Sequence, residues 1–174
     1  MDVTKVILVD EEDNASGECE KLKAHTGGLL HRAFSVFIFN SKGEMLLQQR
    51  AMDKYHSGGL WTNACCSHPS PGEDTHAAAL RRLQEEMGFT TSIEKIFDFV
   101  YKADFENGLT EYEFDHVFVG YYDGEISFNS EEVMDFRYMD MNSVRNWLAS
   151  DPEQFTAWFR IAFDKIADWK ANTV

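Results

Sequence analysis

Residues 73–89 read EDTHAAALRRLQEEMGF. The run from Thr75 to Met87 has the composition of a helix, and Gly88 is a natural C-terminal stop for it. Arg81 and Glu85, like Arg82 and Glu86, stand at i, i+4, the spacing of a solvated face laced by ion pairs. The same spacing puts Arg82 and Glu86 on one helix face. There an arginine can hold a phosphate while the carboxylate holds a divalent cation bound to that phosphate. The helix alone permits either reading. What weighs toward a phosphate site is the segment leading into it, TNACCSHPSPG at residues 62–72, in which Cys65 and Cys66 precede His68. A disulfide between two adjacent cysteines would be strained, so the thiols remain available for packing or chemistry.

Working outward, the chain alternates strand-like and helix-like segments. VTKVILVD reads as a first strand, followed by an acidic turn, EEDNASGE. RAFSVFIFNSKGEMLLQQR reads as a β-hairpin about Asn40–Gly43. The long loop from Ala51 to Asp74 has the length of a functional loop. Ile93 to Tyr101, Tyr112 to Tyr122 and MDFRYMD read as strands, and Asn142 to Leu148 as a short helix. Asp151-Pro152 is expected to cap a last helix. Its apolar stripe is Phe155, Trp158, Phe159, Ala162, Phe163, Ile166 and Trp169. The expectation is a layered α/β protein forming a single domain over residues 1–174.

The 174 residues carry a formal charge of −14, with 44% hydrophobic and 14% aromatic content. That is enough apolar material for one packed core. The charge disfavours nucleic acid and anionic membrane surfaces as partners, so an anionic substrate needs a local cluster of cations. No apolar run is long enough to span a bilayer and no signal peptide is read. Three cysteines, an odd number, suggest a reducing compartment, and the expected location is cytoplasmic.

His25 and His31 lie six residues apart in AHTGGLLHRAF, His68 lies in the cysteine loop, and Glu111 and Glu113 sit two apart in a strand-like stretch. Alternate residues of a strand share a face, so the two carboxylates converge. Three imidazoles and two carboxylates would make a His3Glu2 site with one open position, suited to Mn²⁺, Mg²⁺ or Zn²⁺. Each feature alone is more often a solvated or packed residue. Together they ask for a common ligand.

Two resemblances follow from these residues. Glu73, Arg81, Glu85, Glu86, Gly88 and Phe89 resemble the Nudix signature helix. Ser67 stands at its leading glycine, and Arg82 replaces an acid. The larger set EKLKAHT, LHRAFSVFIFN, LLQQRAMDKYHSGGLWTNACCSHP, RRLQEEMG, YEFDHVF and FTAWF, from about Glu20 to Phe159, resembles the type 1 isopentenyl-diphosphate isomerase family. That family implies a Nudix-type α/β/α sandwich with a mixed sheet, and interconversion of isopentenyl and dimethylallyl diphosphate. It implies a tightly bound divalent metal on His25, His31, His68, Glu111 and Glu113, with Cys66 and Glu113 as the acid–base pair. It also implies a second Mg²⁺ on Glu86, carried by the substrate diphosphate, and Lys21, Arg50, Lys54 and Arg82 on that diphosphate. Tyr101 and Trp158 would line the isoprenyl pocket, with Tyr101 relaying or orienting a proton. The oligomeric state is not implied. The rival enzyme reading is a Nudix hydrolase of a nucleoside or prenyl diphosphate.

The chemistry fits that set. Moving a double bond by one carbon adds a proton at one carbon and removes one from another, on opposite faces of the substrate. A Cys66 thiolate beside a cation is expected on one face, and a protonated Glu113 on the other. The Trp158 π face would stabilise positive charge between them. Cys65 is expected to face away from Cys66 and to pack.

Overall fold

The computed structural model describes residues 4–173. Val3, expected in the first strand, and the extreme ends of the 1–174 span lie outside it. The first strand, β1, is Lys5–Val9. The acidic turn is shorter than expected: residues from Ala15 on form a second strand, β2 (Ala15–Glu20), antiparallel to β1. Its side chains are mostly exposed, so it has little of the apolar alternation that marks a strand. A short helix, α1 (Lys21–Gly27), follows and ends on Gly28 in the left-handed region. It buries Ala24 and His25.

Strand β3 (His31–Phe39) is the spine of the molecule. It meets β4 (Met45–Arg50) only at Phe39↔Met45, so the expected hairpin closes and then splays. Beyond that point β3 pairs antiparallel with β6 (Cys65–Ser67) and parallel with β8 (Thr110–Tyr121). β4 continues against the two-residue β5 (Trp61–Thr62) and β9 (Val133–Met139). β7 (Ile93–Asp104) runs antiparallel along β8. One parallel pairing among antiparallel ones makes the sheet mixed.

Alternation along β3 sorts the layers. Phe34, Val36 and Ile38 pack with Ala78, Ala79, Leu83 and Met87 of α2 (Thr75–Met87). Phe37 and Phe39 face the other way, onto Val144 of α3 (Met141–Ser150) and Phe159, Phe163 and Ile166 of α4 (Ala157–Asn172). The result is an α/β/α sandwich. Helix α2 has the expected span; Asp74 caps its start and Gly88 its end. The start of the last helix differs from expectation. Pro152–Gln154 form a single 3-10 turn, Asp151 makes no side-chain cap, and Thr156 caps α4 by accepting from Phe159 N. Phe155 is extended and fully buried, bridging to Trp61. Burying that ring in the core delays the helix by a turn. No described helix is long and apolar enough to cross a membrane.

Candidate active site

Sheet register assembles the site. The parallel pairing sets His31 opposite Glu113, the β7–β8 pairing sets Tyr101 opposite the same Glu113, and β6 sets Cys66 opposite Ser35. These residues lie beneath α4, which contributes Trp158. Helix α1 adds His25 from the open end of the sheet.

His25 Nδ1 donates to Lys21 O at 2.7 Å, and His31 Nδ1 to Leu29 O at 2.8 Å. A carbonyl only accepts, so each neutral ring turns an Nε2 lone pair inward. The buried His25 Nε2 has no hydrogen-bond partner. His31 Nε2, His68 Nε2 and Glu113 Oε2 stand 3.2, 3.1 and 2.5 Å apart in pairs. Three lone-pair atoms this close call for shared protons or a cation. Burial drives His68 down to about 4 in spite of Glu113. Burial also opposes charge on His31, but the hydrogen bond and charge of Glu113 outweigh it and hold that ring above its usual range. The residues therefore fit a divalent ion: His25, His31, His68 and Glu113 present ligand atoms within 4.8 Å of one another.

Glu111 departs from the expected five-ligand cluster. It stands instead with His25 and His56, whose Nε2 is 2.7 Å from Glu111 Oε2. Tyr101 OH contacts both Glu111 and Glu113. One hydroxyl proton satisfies only one carboxylate, so the second contact again asks for a proton or a cation. His56 escaped the sequence reading because nothing in KYHSGG marks it. The loop folds it inward, stacked on Phe105 with centroids 4.5 Å apart, and Arg50 Nη2 donates to its carbonyl.

Outside this cluster a cavity of about 600 Å³ is lined by Lys21, Lys54, Ser67, Arg81 and Arg82. A narrower recess continues inward past Arg50, Tyr55, Cys66, Glu113 and Trp158. Burial and the nearby Lys54, Arg50 and Arg82 charges lower Lys21 to about 8. Clustered cations at such cost are what an anionic ligand relieves. Arg82 Nη2 is 3.0 Å from Glu86 Oε2, the shared helix face expected for the pair. Glu86 is buried and also takes Gln48 Nε2 at 3.2 Å. The pairing of Arg81 with both Glu73 and Glu85 gives the exposed side of α2 its ion-pair character as well. Glu132, not anticipated from sequence, lies 2.5 Å from Lys54 and 3.5 Å from Arg82.

Cys66 lies on the inner recess, with Trp158 Nε1 donating to its sulfur at 2.9 Å. The Trp158 ring also carries the Arg50 guanidinium 5.2 Å from its centroid. Cys65 faces the opposite core, fully buried with Ala64 and Leu83. The expected thiolate is not what these protein groups favour: burial first, and then the Asp115 charge, push the Cys66 thiol up. Asp115 is a neighbour that sequence spacing did not reveal.

With this geometry in hand, similarity to known proteins narrows the reading. The NUDIX domain family matches residues 29–159. The isopentenyl-diphosphate delta-isomerase of Pectobacterium atrosepticum is 49% identical over 172 residues, covering 98% of this chain and 96% of that protein. That of Serratia proteamaculans is 51% identical over 154 residues, covering 88% and 86% respectively. Among solved structures, a Deinococcus radiodurans protein superposes with a TM-score of 0.76 at 16% identity, covering 92% of this chain and 98% of its own. The MutT protein of Methanosarcina mazei gives 0.65 at 20% identity, covering 83% and 96%. Those two likenesses concern the fold alone. The chain belongs to the isopentenyl-diphosphate delta-isomerase family, built on a NUDIX domain.

Proposed function

We propose that this chain interconverts isopentenyl and dimethylallyl diphosphate in isoprenoid biosynthesis, through a tertiary carbocation. The observation that carries the reading is the order of groups along one cavity. Cations stand at the mouth, Cys66 and Glu113 line the recess within, and Tyr101 OH reaches Glu113 from behind it. Lys21, Arg50, Lys54 and Arg82 bind the diphosphate, and Glu86 would hold a Mg²⁺ carried by that diphosphate. The alkene end then lies in the recess. One of Cys66 and Glu113 gives a proton to the terminal carbon, and the other takes one from the carbon two bonds away. The roles exchange in the reverse direction. Tyr101 orients the Glu113 carboxyl. Trp158 and the apolar walls exclude water and face the cationic carbon, an interaction worth roughly 2 kcal/mol or more when desolvated.

His25, His31, His68 and Glu113 would hold one divalent ion, Mn²⁺, Mg²⁺ or Zn²⁺, with Glu111 beside them through its shared neighbours His25 and Tyr101. Bound there, such an ion would offset the charge of the neighbouring carboxylates. The whole 1–174 chain works as a single domain. Its three free cysteines suit a reducing cytoplasm. Nucleic acid and membrane play no part in this account.

The test is incubation with isopentenyl diphosphate and Mg²⁺, with product identification and a phosphate-release assay run together. Dimethylallyl diphosphate without released phosphate or pyrophosphate is expected. Pyrophosphate or phosphate as the main product would turn the reading to a Nudix hydrolase.

A further inference from the structure

The sulfur of Cys66 is enclosed by groups that neither the metal set nor the diphosphate clamp employs. The Asn63 amide is oriented by its own donors: Nδ2 donates to Val36 O at 2.9 Å and to Cys65 O at 3.0 Å. Two backbone acceptors fix which end of the amide is nitrogen. Oδ1 is thereby turned to the thiol, accepting from Cys66 Sγ at 3.0 Å. Thr62 donates to the same oxygen at 2.8 Å, and the α4 cap residue Thr156 donates to Thr62 at 3.0 Å. The helix that delivers Trp158 to the sulfur is thus tied to the amide that faces it. On another side, Ser35 Oγ lies 3.5 Å from Cys66 Sγ and donates its own proton to Asp115 Oδ2 at 2.7 Å.

Every member is buried: Asn63 is 0% exposed, and Ser35 and Asp115 are 1% exposed. Asp115 Oδ1 has no hydrogen-bond partner. A packed sheet would be more stable with an apolar residue there, since burying a polar atom without a partner is costly. The arrangement therefore asks for a reason other than packing, and its common element is the Cys66 sulfur.

We propose that Asn63 and the Ser35–Asp115 pair are positioning residues for the Cys66 thiol, holding the sulfur at one point of the recess wall and fixing the direction of its S–H bond. The proposal rests on the reading of Cys66 as a member of the acid–base pair. A thiol otherwise turns freely about its Cβ–Sγ bond. Asn63 Oδ1 at 3.0 Å is the nearer acceptor, Ser35 Oγ stands farther off at 3.5 Å, and Trp158 Nε1 donates to the sulfur, so the S–H bond is directed toward Asn63. Proton transfer to or from carbon depends steeply on such alignment, and a displacement near 1 Å costs on the order of 10²-fold in rate.

The experiment compares Ser35→Ala, Ser35→Thr, Asp115→Asn and Cys66→Ser in the metal-loaded, full-length protein. Ser35→Ala removes one small hydroxyl from a strand interior. It should lower kcat by about 10- to 100-fold and leave KM within about twofold, because the diphosphate contacts are untouched. Ser35→Thr restores the hydroxyl and should recover most of kcat, which a generally weakened core would not explain. Asp115→Asn can donate to Ser35 and turn its hydroxyl toward the sulfur. It too should lower kcat with KM held, and it answers the question if Ser35→Ala does not fold. The rate at which iodoacetamide labels Cys66, read by peptide map, should shift in the same variants while Cys65 stays unlabelled. Wild-type kcat in both folded variants, or a loss carried by KM alone, would overturn the proposal. Full activity in Cys66→Ser would instead remove the reading beneath it, which the same series shows separately.

Discussion

At the scale of single residues, the two adjacent cysteines separate packing from chemistry. They share a loop, so damage to the loop would affect both alike. Cys66→Ser replaces an ionisable thiol by a hydroxyl that holds its proton, and a positioned acid or base contributes about 10²–10⁴-fold to rate. Turnover should fall by at least that much while fold and metal content persist. Cys65→Ser, in the opposite core, should keep most activity and lose modest stability, read by urea denaturation. Elemental analysis addresses the imidazoles: His31→Ala and His68→Ala should purify with far less divalent metal than wild type, and undiminished metal in both would remove that site. Lys21 gives a pH signature. Its value falls from 10.5 to about 8 in the folded protein, so its charge is lost as pH rises through about 8. KM for the diphosphate should climb above that pH, and Lys21→Gln should flatten the climb. Stability should move the other way. The unfolded chain binds the extra proton between about 8 and 10.5, so this group's contribution to unfolding free energy grows across that window.

At the scale of elements, the last helix is the sharpest lesson. Asp151-Pro152 has the composition of a helix start, and it does begin a turn, yet Thr156 caps α4. Thr156→Ala should cost about 0.5–2 kcal/mol, whereas Asp151→Ala should stay within about 0.5 kcal/mol, both read from denaturation midpoints. Equal losses would contradict the assignment of the cap. Helix α2 was legible because its signals are local: the helix-forming run from Thr75 to Met87, the i, i+4 pairs and Gly88. The core face of α4 was legible from its period. Strand β2 was not, since ASGECE carries little apolar alternation and gains its form from pairing with β1. The site divides in the same way. The motif residues His25, His31, His68, Cys66 and Glu113 could be named before the fold. His56, Asn63, Ser35, Asp115 and Glu132 could not, because their roles come from loop closure and cross-strand register that no spacing records. The surroundings of the Cys66 thiol were hidden for the same reason: its burial, and after that the approach of Asp115, come only with the folded sheet.

At the scale of the whole molecule, a chain of net charge −14 gathers Lys21, Lys54, Arg81 and Arg82 at one mouth, with Cys66 and Glu113 in the recess behind them. The α/β/α sandwich makes this possible, since β3, β6, β7 and β8 present His31, Cys66, Tyr101 and Glu113 on the face that α4 covers. The arrangement suits a reaction in which the diphosphate is an anchor and is never cleaved. The most direct measurement of that claim is an NMR time course with isopentenyl diphosphate and Mg²⁺ in D2O. The account predicts dimethylallyl diphosphate carrying solvent deuterium in a methyl group, an intact diphosphate, and neither product nor label with Cys66→Ser. Isomerised product free of deuterium, or a cleaved diphosphate with an unchanged alkene, would contradict it.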